Sequence, residues 1–253
     1  MNERLRTVML RQGVAPEELA EECGVDPKTV ERWVSLGRTP HRRHRWVAAK
    51  RLGTDETYLW PQLVAPPVGK NRGEAASRSE LVEIHPDRAS VPRAVWLRLL
   101  EGSQSNIDVL VLSGTFFAQT QPRVASMLMT RIAAGVHVRM CFGDPNAAPV
   151  AVRDREEGLG GTMAAKIRAS LTYYRELATT EGCEVRLHAT TLYNSIFRYD
   201  DEILVNTHLY GEPASLNPTF QFRRVDGGTY FEHYLTSFER AWSTALPWLG
   251  TEV

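Results

Sequence analysis

The apolar positions change period part-way along the chain. Near the N-terminus they recur at helical spacing: Leu5, Val8 and Met9, then Leu19 and Ala20, then Val30, Trp33 and Val34. Apolar residues three and four apart mark one face of an amphipathic helix. Punctuation falls between the stripes. Gly24 follows the second stripe, where a glycine lets the chain leave a helix with positive φ. Asp26 then stands at an N-cap position, with Pro27 in the first turn, where its missing N–H costs nothing. Val25 and Val30 have the spacing of a hydrophobic staple across that cap. Lys28, Thr29 and Arg32 lie opposite the apolar stripe of the later helix. Two short helices around a glycine turn, the second with a polar outer face, predict a helix-turn-helix whose second helix enters a DNA major groove. The plainer alternative is a helical hairpin with a solvated charged face.

The helical period continues to about residue 60. Thr39 and Pro40 predict the start of a fourth helix, with Trp46, Val47 and Leu52 as its core contacts. Gly53 ends it, and a short fifth helix carries Tyr58, Leu59 and Trp60. These elements predict a small all-α domain over residues 1–62. Residues 63–79 contain Pro66, Pro67, glycines and small residues, a composition suited to a linker. Residues 80–253 form the second domain, where strand patterns alternate with helical ones. A helix over 92–100 precedes IDVLVLS (107–113), a continuous apolar run of the kind found in strands buried on both faces. A helix over 122–134 leads to HVRMCFGDP, a second buried strand. Residues 146–161 read as loop. A helix with Met163, Ile167, Leu171, Tyr174 and Ala178 on one side follows, then a strand over 183–187. A hairpin over 195–207 turns at Asp200 and Asp201, a short strand spans 220–223, and a terminal helix carries Phe231, Tyr234, Leu235, Phe238 and Trp242 as core. The fold class is therefore α/β overall, a small all-α domain followed by a larger α/β domain with a largely parallel sheet.

Charge sharpens the reading of the first domain. The chain of 253 residues has zero formal net charge, so a nucleic-acid surface must be local. Arg38, Arg42, Arg43, Arg45, Lys50 and Arg51 follow one another without an intervening acidic residue, whereas Glu17, Glu18, Glu21 and Glu22 cluster earlier. A segregated basic face suits phosphate contact; a solvated helix face is the alternative. Cys23, Cys141 and Cys183 are scattered, which points to buried thiols in a reducing compartment rather than to disulfides or a metal site. No signal peptide and no bilayer-length apolar run is visible, so the expectation is a cytoplasmic protein without membrane contact, metal or cofactor.

Residues 3–62 resemble the Cro/repressor-type helix-turn-helix domain, on Leu19–Ala20, the central Gly24 and the VERW of residues 30–33. From about residue 90 to 245 the chain resembles one half of a phospholipase D-like fold: IDVLVLSGTFF, a helix, AAGVHVRMCFGDP, and a terminal hairpin. That family's signature is His, any residue, Lys, four residues, Asp, followed by Gly-Ser-x-Asn. Laid on this chain it falls on Tyr193, Ser195 and Asp200; of these Asp200 alone matches, and the later positions hold Thr207, His208 and Tyr210. A tyrosine with pKa near 10 replaces the nucleophilic imidazole, and the cation that would steady transition-state charge is missing. The domain order and RYDDEILVNTHLYG also resemble actinobacterial-type regulators that join a repressor-like N-terminus to a C-terminal domain of unassigned role.

Together these readings predict a DNA-binding transcription regulator. Lys28, Thr29, Arg32, Arg38, Arg42 and Arg43 would contact double-stranded DNA. The resemblance implies a pocket that has kept its shape and lost its reaction, with His188, Tyr193, Ser195, Asn206, His208 and Tyr210 facing a small-molecule or nucleotide effector. No catalytic residue is expected. The alternative is a phospholipase D-type phosphodiesterase or nuclease carried to DNA, in which His188 or His208 takes over the chemistry. The charged run 153–157 is a solvated loop or a lid over the pocket. A phospholipase D-like fold normally pairs two signature copies and this chain has one; a helix-turn-helix protein usually reads two half-sites. Both arguments predict a homodimer joined through the C-terminal domains.

Overall fold

A computed structural model describes residues 1–64, 72–116 and 123–251, and it divides the chain into two compact units, Met1–Asn71 and Arg72–Val253. The first unit is all-helical: α1 (Glu3–Gln12), α2 (Pro16–Cys23), α3 (Pro27–Ser35), α4 (Arg42–Arg51) and α5 (Glu56–Leu59), then a 3-10 turn at Pro61–Val64. Its core is Leu5, Leu19, Val30, Trp33, Leu52, Leu59 and Trp60, all nearly or wholly buried. Two of its expectations are corrected. Helix α4 begins at Arg42 rather than beside Pro40, with His41 at the N-cap and no side-chain cap. Trp46 is 58% exposed, because Ala48 and Ala49 supply the inward face of α4.

The second unit is built on one eight-stranded sheet. In chain order its elements are α6 (Arg72–Glu80), β1 (Leu81–His85), α7 (Arg93–Gly102), β2 (Asn106–Leu110), α8 (Val124–Ala133), β3 (His137–Gly143), α9 (Ala148–Glu156), α10 (Thr162–Tyr173), β4 (Cys183–His188), β5 (Asn194–Tyr199), β6 (Glu202–Thr207), β7 (Thr219–Arg223), α11 (Tyr230–Thr244) and β8 (Leu246–Pro247). The strand order is β1-β7-β6-β5-β2-β3-β4-β8. Only the β2–β3 and β3–β4 pairs are parallel, so the sheet is mixed rather than largely parallel. The physical reason is connection length. Helical crossovers join β2, β3 and β4, whereas a two-residue turn at Asp200 and Asp201 forces β5 and β6 antiparallel. Asp200 takes φ 50° there, and its carboxylate accepts the N–H groups of Gln104, Ser105 and Asn106 at 2.7–2.9 Å.

Helices cover both faces. On one, Trp96 of α7 meets Phe197 of β5 with ring centroids 5.0 Å apart. On the other, Phe238 of α11 lies under the Arg139 guanidinium. Beneath α11 sits a fully buried carboxylate, Asp108, held by Arg139 Nε at 2.7 Å and Arg198 Nη1 at 2.8 Å.

Other differences from the sequence reading have local causes. Residues 148–156, read as loop, form α9; its charged run closes Arg153–Glu156 and Arg153–Glu157 pairs at helical spacing. Within the stretch read as linker, residues 65–71 lie outside the described residues and 72–80 form α6. That helix is fixed by Ser77 against Thr229 and by Glu80, whose carboxylate accepts the Tyr230 and Phe231 N–H groups at the start of α11. Strands β1 and β8 carry no alternation that would have announced them.

Candidate functional site

In the first unit, α2 and α3 are joined by Gly24, Val25 and Asp26. Gly24 has φ 65°; its N–H bonds to the Glu21 carbonyl and that of Val25 to the Ala20 carbonyl, closing the α2 C-terminus. The Asp26 side chain accepts the Lys28 N–H at 2.9 Å and caps α3. Val30 and Trp33 point into the core, which aims Lys28 and Arg32 outward; both are exposed, with Thr29 half-buried at their side. Arg38, Arg42 and Arg43 are exposed as well, and no ion pair among the described residues engages any of these five cations. The rest of the basic segment is occupied. Arg45 pairs with Glu56 at 3.2 Å, Arg51 with Glu22 at 2.5 Å, and Lys50 lies over the Trp46 ring.

In the second unit the register brings several strand ends together. The C-terminal ends of the parallel strands β2, β3 and β4 share one edge of the sheet with the start of β5, the end of β6 and the end of β1. Ligands bind at such carboxyl ends in open α/β sheets. A cavity of about 130 Å³ lies there, lined by Arg88 after β1, Ser113 and Thr115 after β2, Lys166 of α10, and Ser195 and His208 at the mouths of β5 and β6. Glu157 and Ser215 complete its polar wall.

The hydrogen bonds fix the protonation pattern at the base of this cavity. His208 Nδ1 lies 3.1 Å from the Leu192 carbonyl, which can only accept, so Nδ1 carries the proton. His208 Nε2 therefore accepts from the Ser195 hydroxyl at 2.9 Å. Burial first, and the nearby cations Arg153 and Arg88 and His188 in addition, push the His208 pKa down to about 4 against the opposing Leu192 bond. Arg88 Nη1 donates to Asn206 Oδ1 at 3.2 Å, while its Nε is buried without a hydrogen-bond partner among the described residues. Its guanidinium also stacks on Phe116, 4.4 Å from the ring centroid, and burial lowers its pKa to about 10, still charged at neutral pH.

Of the six residues expected to face an effector, Ser195 and His208 line the cavity. Asn206 sits beneath it, fully buried, bonded to the Asn217 carbonyl at 3.0 Å and holding Arg88. His188 is a strut: Nε2 donates to the Val111 carbonyl at 3.1 Å and Nδ1 accepts from the Thr190 hydroxyl at 3.0 Å. Tyr193 and Tyr210 are 73% and 85% exposed and do not line the cavity. Arg88 and Lys166 were missed. Arg88 follows a strand the sequence did not reveal, and Lys166 sits on the polar side of a helix read only for its apolar stripe. Among the described residues no cluster of three or more His, Cys, Asp or Glu could hold a metal ion, and no helix is long and apolar enough to cross a membrane. The three cysteines are free and buried.

No family model and no curated protein matches the chain. Among solved structures, an archaeal chromatin protein, TrmBL2, described as showing a novel mode of DNA binding, is similar at 11% identity over 87% of this chain and 69% of its own, with a TM-score of 0.41. The phosphatidylserine synthase of Haemophilus influenzae Rd KW20 is similar at 12% identity over 66% of this chain and 39% of its own, with a TM-score of 0.45. Values this low transfer no fold, site or activity to the present chain.

Proposed function

We propose that this chain is a sequence-specific DNA-binding transcription regulator, working in the cytoplasm, whose C-terminal α/β domain binds a small-molecule effector and joins two copies into a dimer. The observation that carries the reading is the α2–α3 unit: a glycine-turned, Asp-capped second helix whose core residues hold Lys28 and Arg32 outward, in a domain where Arg38, Arg42 and Arg43 are also exposed and make no ion pair among the described residues. The test is affinity for a mapped operator. Replacing Lys28 and Arg32 by alanine should leave the helical content intact and remove discrimination between operator and random DNA, at about 1–3 kcal/mol for each lost base contact. Unchanged operator affinity in the double variant refutes this orientation of the domain.

The C-terminal domain resembles a phospholipase D-like half whose reactive positions have changed. The exposed Tyr193 stands away from the cavity, and Ser195 occupies the signature's lysine position. One observation favours the hydrolytic alternative: the Ser195–His208 hydrogen bond is the contact a nucleophile makes with its base. A histidine with its pKa near 4 is a weak base at neutral pH, however, and this ranks catalysis second. Turnover of a generic phosphodiester that disappears in His208→Ala would reverse that ranking.

A further inference from the structure

We propose that the outer edge of β1 is the surface that joins two copies, β1 pairing antiparallel with β1 of a second copy about a two-fold axis through Ile84. This rests on the reading of the C-terminal domain as the dimerising one and gives that dimer its interface.

The two edges of the sheet are built differently. One is β8, two residues long and carrying Pro247, which has no N–H to offer a further strand. The other is β1, five residues without a proline, and no strand among the described residues pairs with its outer side. Leu81, Val82, Glu83 and Ile84 are all exposed, Ile84 by 54%. Register sets Leu81 beside Phe222 and Ile84 beside Phe220. Those phenylalanines stack at 6.1 Å, and Phe222 in turn meets Tyr234 at 5.5 Å and Tyr230 at 5.9 Å on α11. An apolar strip thus runs from α11 across β7 to the sheet edge, where Leu81, Ile84 and Tyr230 lie open to solvent. Unpaired strand edges beside apolar surface are hazards that native folds cover. A second copy covers this one symmetrically, and because β8 is blunted the pairing closes at two chains.

The residues along β1 select a second copy as the occupant and fix its register. In an antiparallel pair about a two-fold axis perpendicular to the sheet, one residue faces itself. An axis at Leu81 would pair Val82 with Glu80, the last residue of α6. An axis at Val82 would fall in the bulge between Leu81 and Glu83, where the ladder is interrupted. An axis at Glu83 would set two carboxylates directly opposite each other. An axis at His85 would bring Ile84 against Pro86, which cannot donate. The axis at Ile84 avoids all four. It places Ile84 against its own copy in the regular part of β1, beyond the bulge, and sets Glu83 opposite His85 of the second copy twice over. Glu83 and His85 share the other sheet face, that of Gln221 and Thr219. His85 Nε2 is buried without a hydrogen-bond partner among the described residues, and the Glu83 carboxylate of its own chain stays 3.8 Å away. A carboxylate is an acceptor that such a ring N–H lacks, and the paired Glu83 brings a second one. An acid answered by a histidine across the axis is a self-complementary pattern, which an unrelated strand would not require.

Sedimentation equilibrium and disulfide trapping on the full chain test this. The parent chain should be a dimer at micromolar concentration. Ile84→Lys puts two ammonium groups on the axis and should weaken the dimer by about a hundredfold or more, since the change enters twice. Ile84 is exposed, so the far-ultraviolet circular dichroism should stay that of the parent. Leu246→Lys, on the other edge, should leave the dimer intact. Ile84→Cys should link two chains covalently under mild oxidation, because facing residues of an antiparallel pair have Cα atoms about 4.5–5.5 Å apart, within disulfide reach. Glu83→Cys should not link to itself, and the three native cysteines are buried. A dimer that survives Ile84→Lys, an Ile84→Cys chain that stays unlinked, or a Glu83→Cys chain that links in its place overturns this interface and leaves the dimer reading standing. A monomeric parent chain overturns both, and that is the outcome if a different protein occupies this edge.

Discussion

Asp108→Ala should be among the costliest single substitutions in the C-terminal domain. Asp108 is fully buried and its two oxygens are taken by Arg139 Nε at 2.7 Å and Arg198 Nη1 at 2.8 Å. The two arginines fare differently without it. Arg139 keeps Glu239, at 2.7 and 3.1 Å, whereas among the described residues Arg198 keeps only its bond to the Asp200 carbonyl at 2.9 Å. The substitution therefore strands one guanidinium that is 12% exposed. Breaking one side of a buried ion pair costs about 3–5 kcal/mol, a large part of the roughly 5–15 kcal/mol that holds a domain together. For a domain of this size that is a fall in Tm of roughly 6–20 °C. Asp108→Asn keeps an acceptor for one arginine and should cost less, about 1.5–3 kcal/mol. The assay is urea unfolding followed by tryptophan fluorescence, since the Trp242 ring lies 5.4 Å from the Arg139 guanidinium and reports the same layer. A double-mutant cycle with Arg198→Ala carries the sharper test. If the stranded cation is the main cost, the double variant is more stable than the sum of the single losses by about 0.5–3 kcal/mol. A loss under about 1 kcal/mol for Asp108→Ala, or strict additivity in the cycle, refutes the assignment.

Three further outcomes are expected. Replacing Arg42 and Arg43 by alanine should weaken binding to all DNA sequences alike and flatten the salt dependence by about one unit per lost phosphate contact; an effect confined to the operator would make them base readers. Burial alone would raise the Asp200 pKa, but the Asn106, Gln104 and Ser105 N–H groups, with Arg198, hold it below the ordinary carboxylate value. Its stabilisation is thus complete above the unfolded value of about 3.9, shrinks as the pH falls below it and is gone beneath the folded value, so Asp200→Asn should flatten the acid limb of a stability–pH profile. Light scattering should give a dimer both for the full chain and for residues 72–253; a dimer of the full chain alone would move the contact to the N-terminal half.

What the sequence disclosed follows from where local chemistry decides structure. The α2–α3 turn was legible because each step has a residue that suits little else: Gly24 at positive φ, Asp26 on the Lys28 N–H, Pro27 where no N–H is needed. The β5–β6 hairpin was legible for the same reason. Strand β1 was not, since four of its five residues are exposed and it is held by register with β7 far along the chain. Helix α6 was hidden by its small residues, and Glu80 and Ser77 secure it through partners some 150 positions away. Asp108 was misread as part of a uniformly apolar strand. An acid inside a buried run needs a cation, and the strands that turned out to flank it each carried one in register, Arg139 and Arg198.

The site shows the same division between local and remote causes. Placing a family signature on Tyr193 and Ser195 treats neighbours in sequence as neighbours in a pocket. The chain separates them: the Tyr193 side chain stands in solvent, while Ser195, paired in register with Asn206, turns inward to His208. The cations of the cavity come from elsewhere, Arg88 from a loop more than a hundred positions upstream of Ser195 and Lys166 from the helix before β4. Asn206 ties these contributions together, since its carbonyl oxygen receives Arg88 while its amide is spent on the Asn217 carbonyl. Asn206→Leu removes that acceptor at nearly constant volume and leaves a buried guanidinium with one bond fewer. The expected outcome is a loss of about 1–3 kcal/mol of stability in urea unfolding with DNA affinity unchanged, because Arg88 loses its acceptor while α3 keeps its cap. Stability equal to that of the parent chain would show that Arg88 is held by its stacking on Phe116 without help from Asn206.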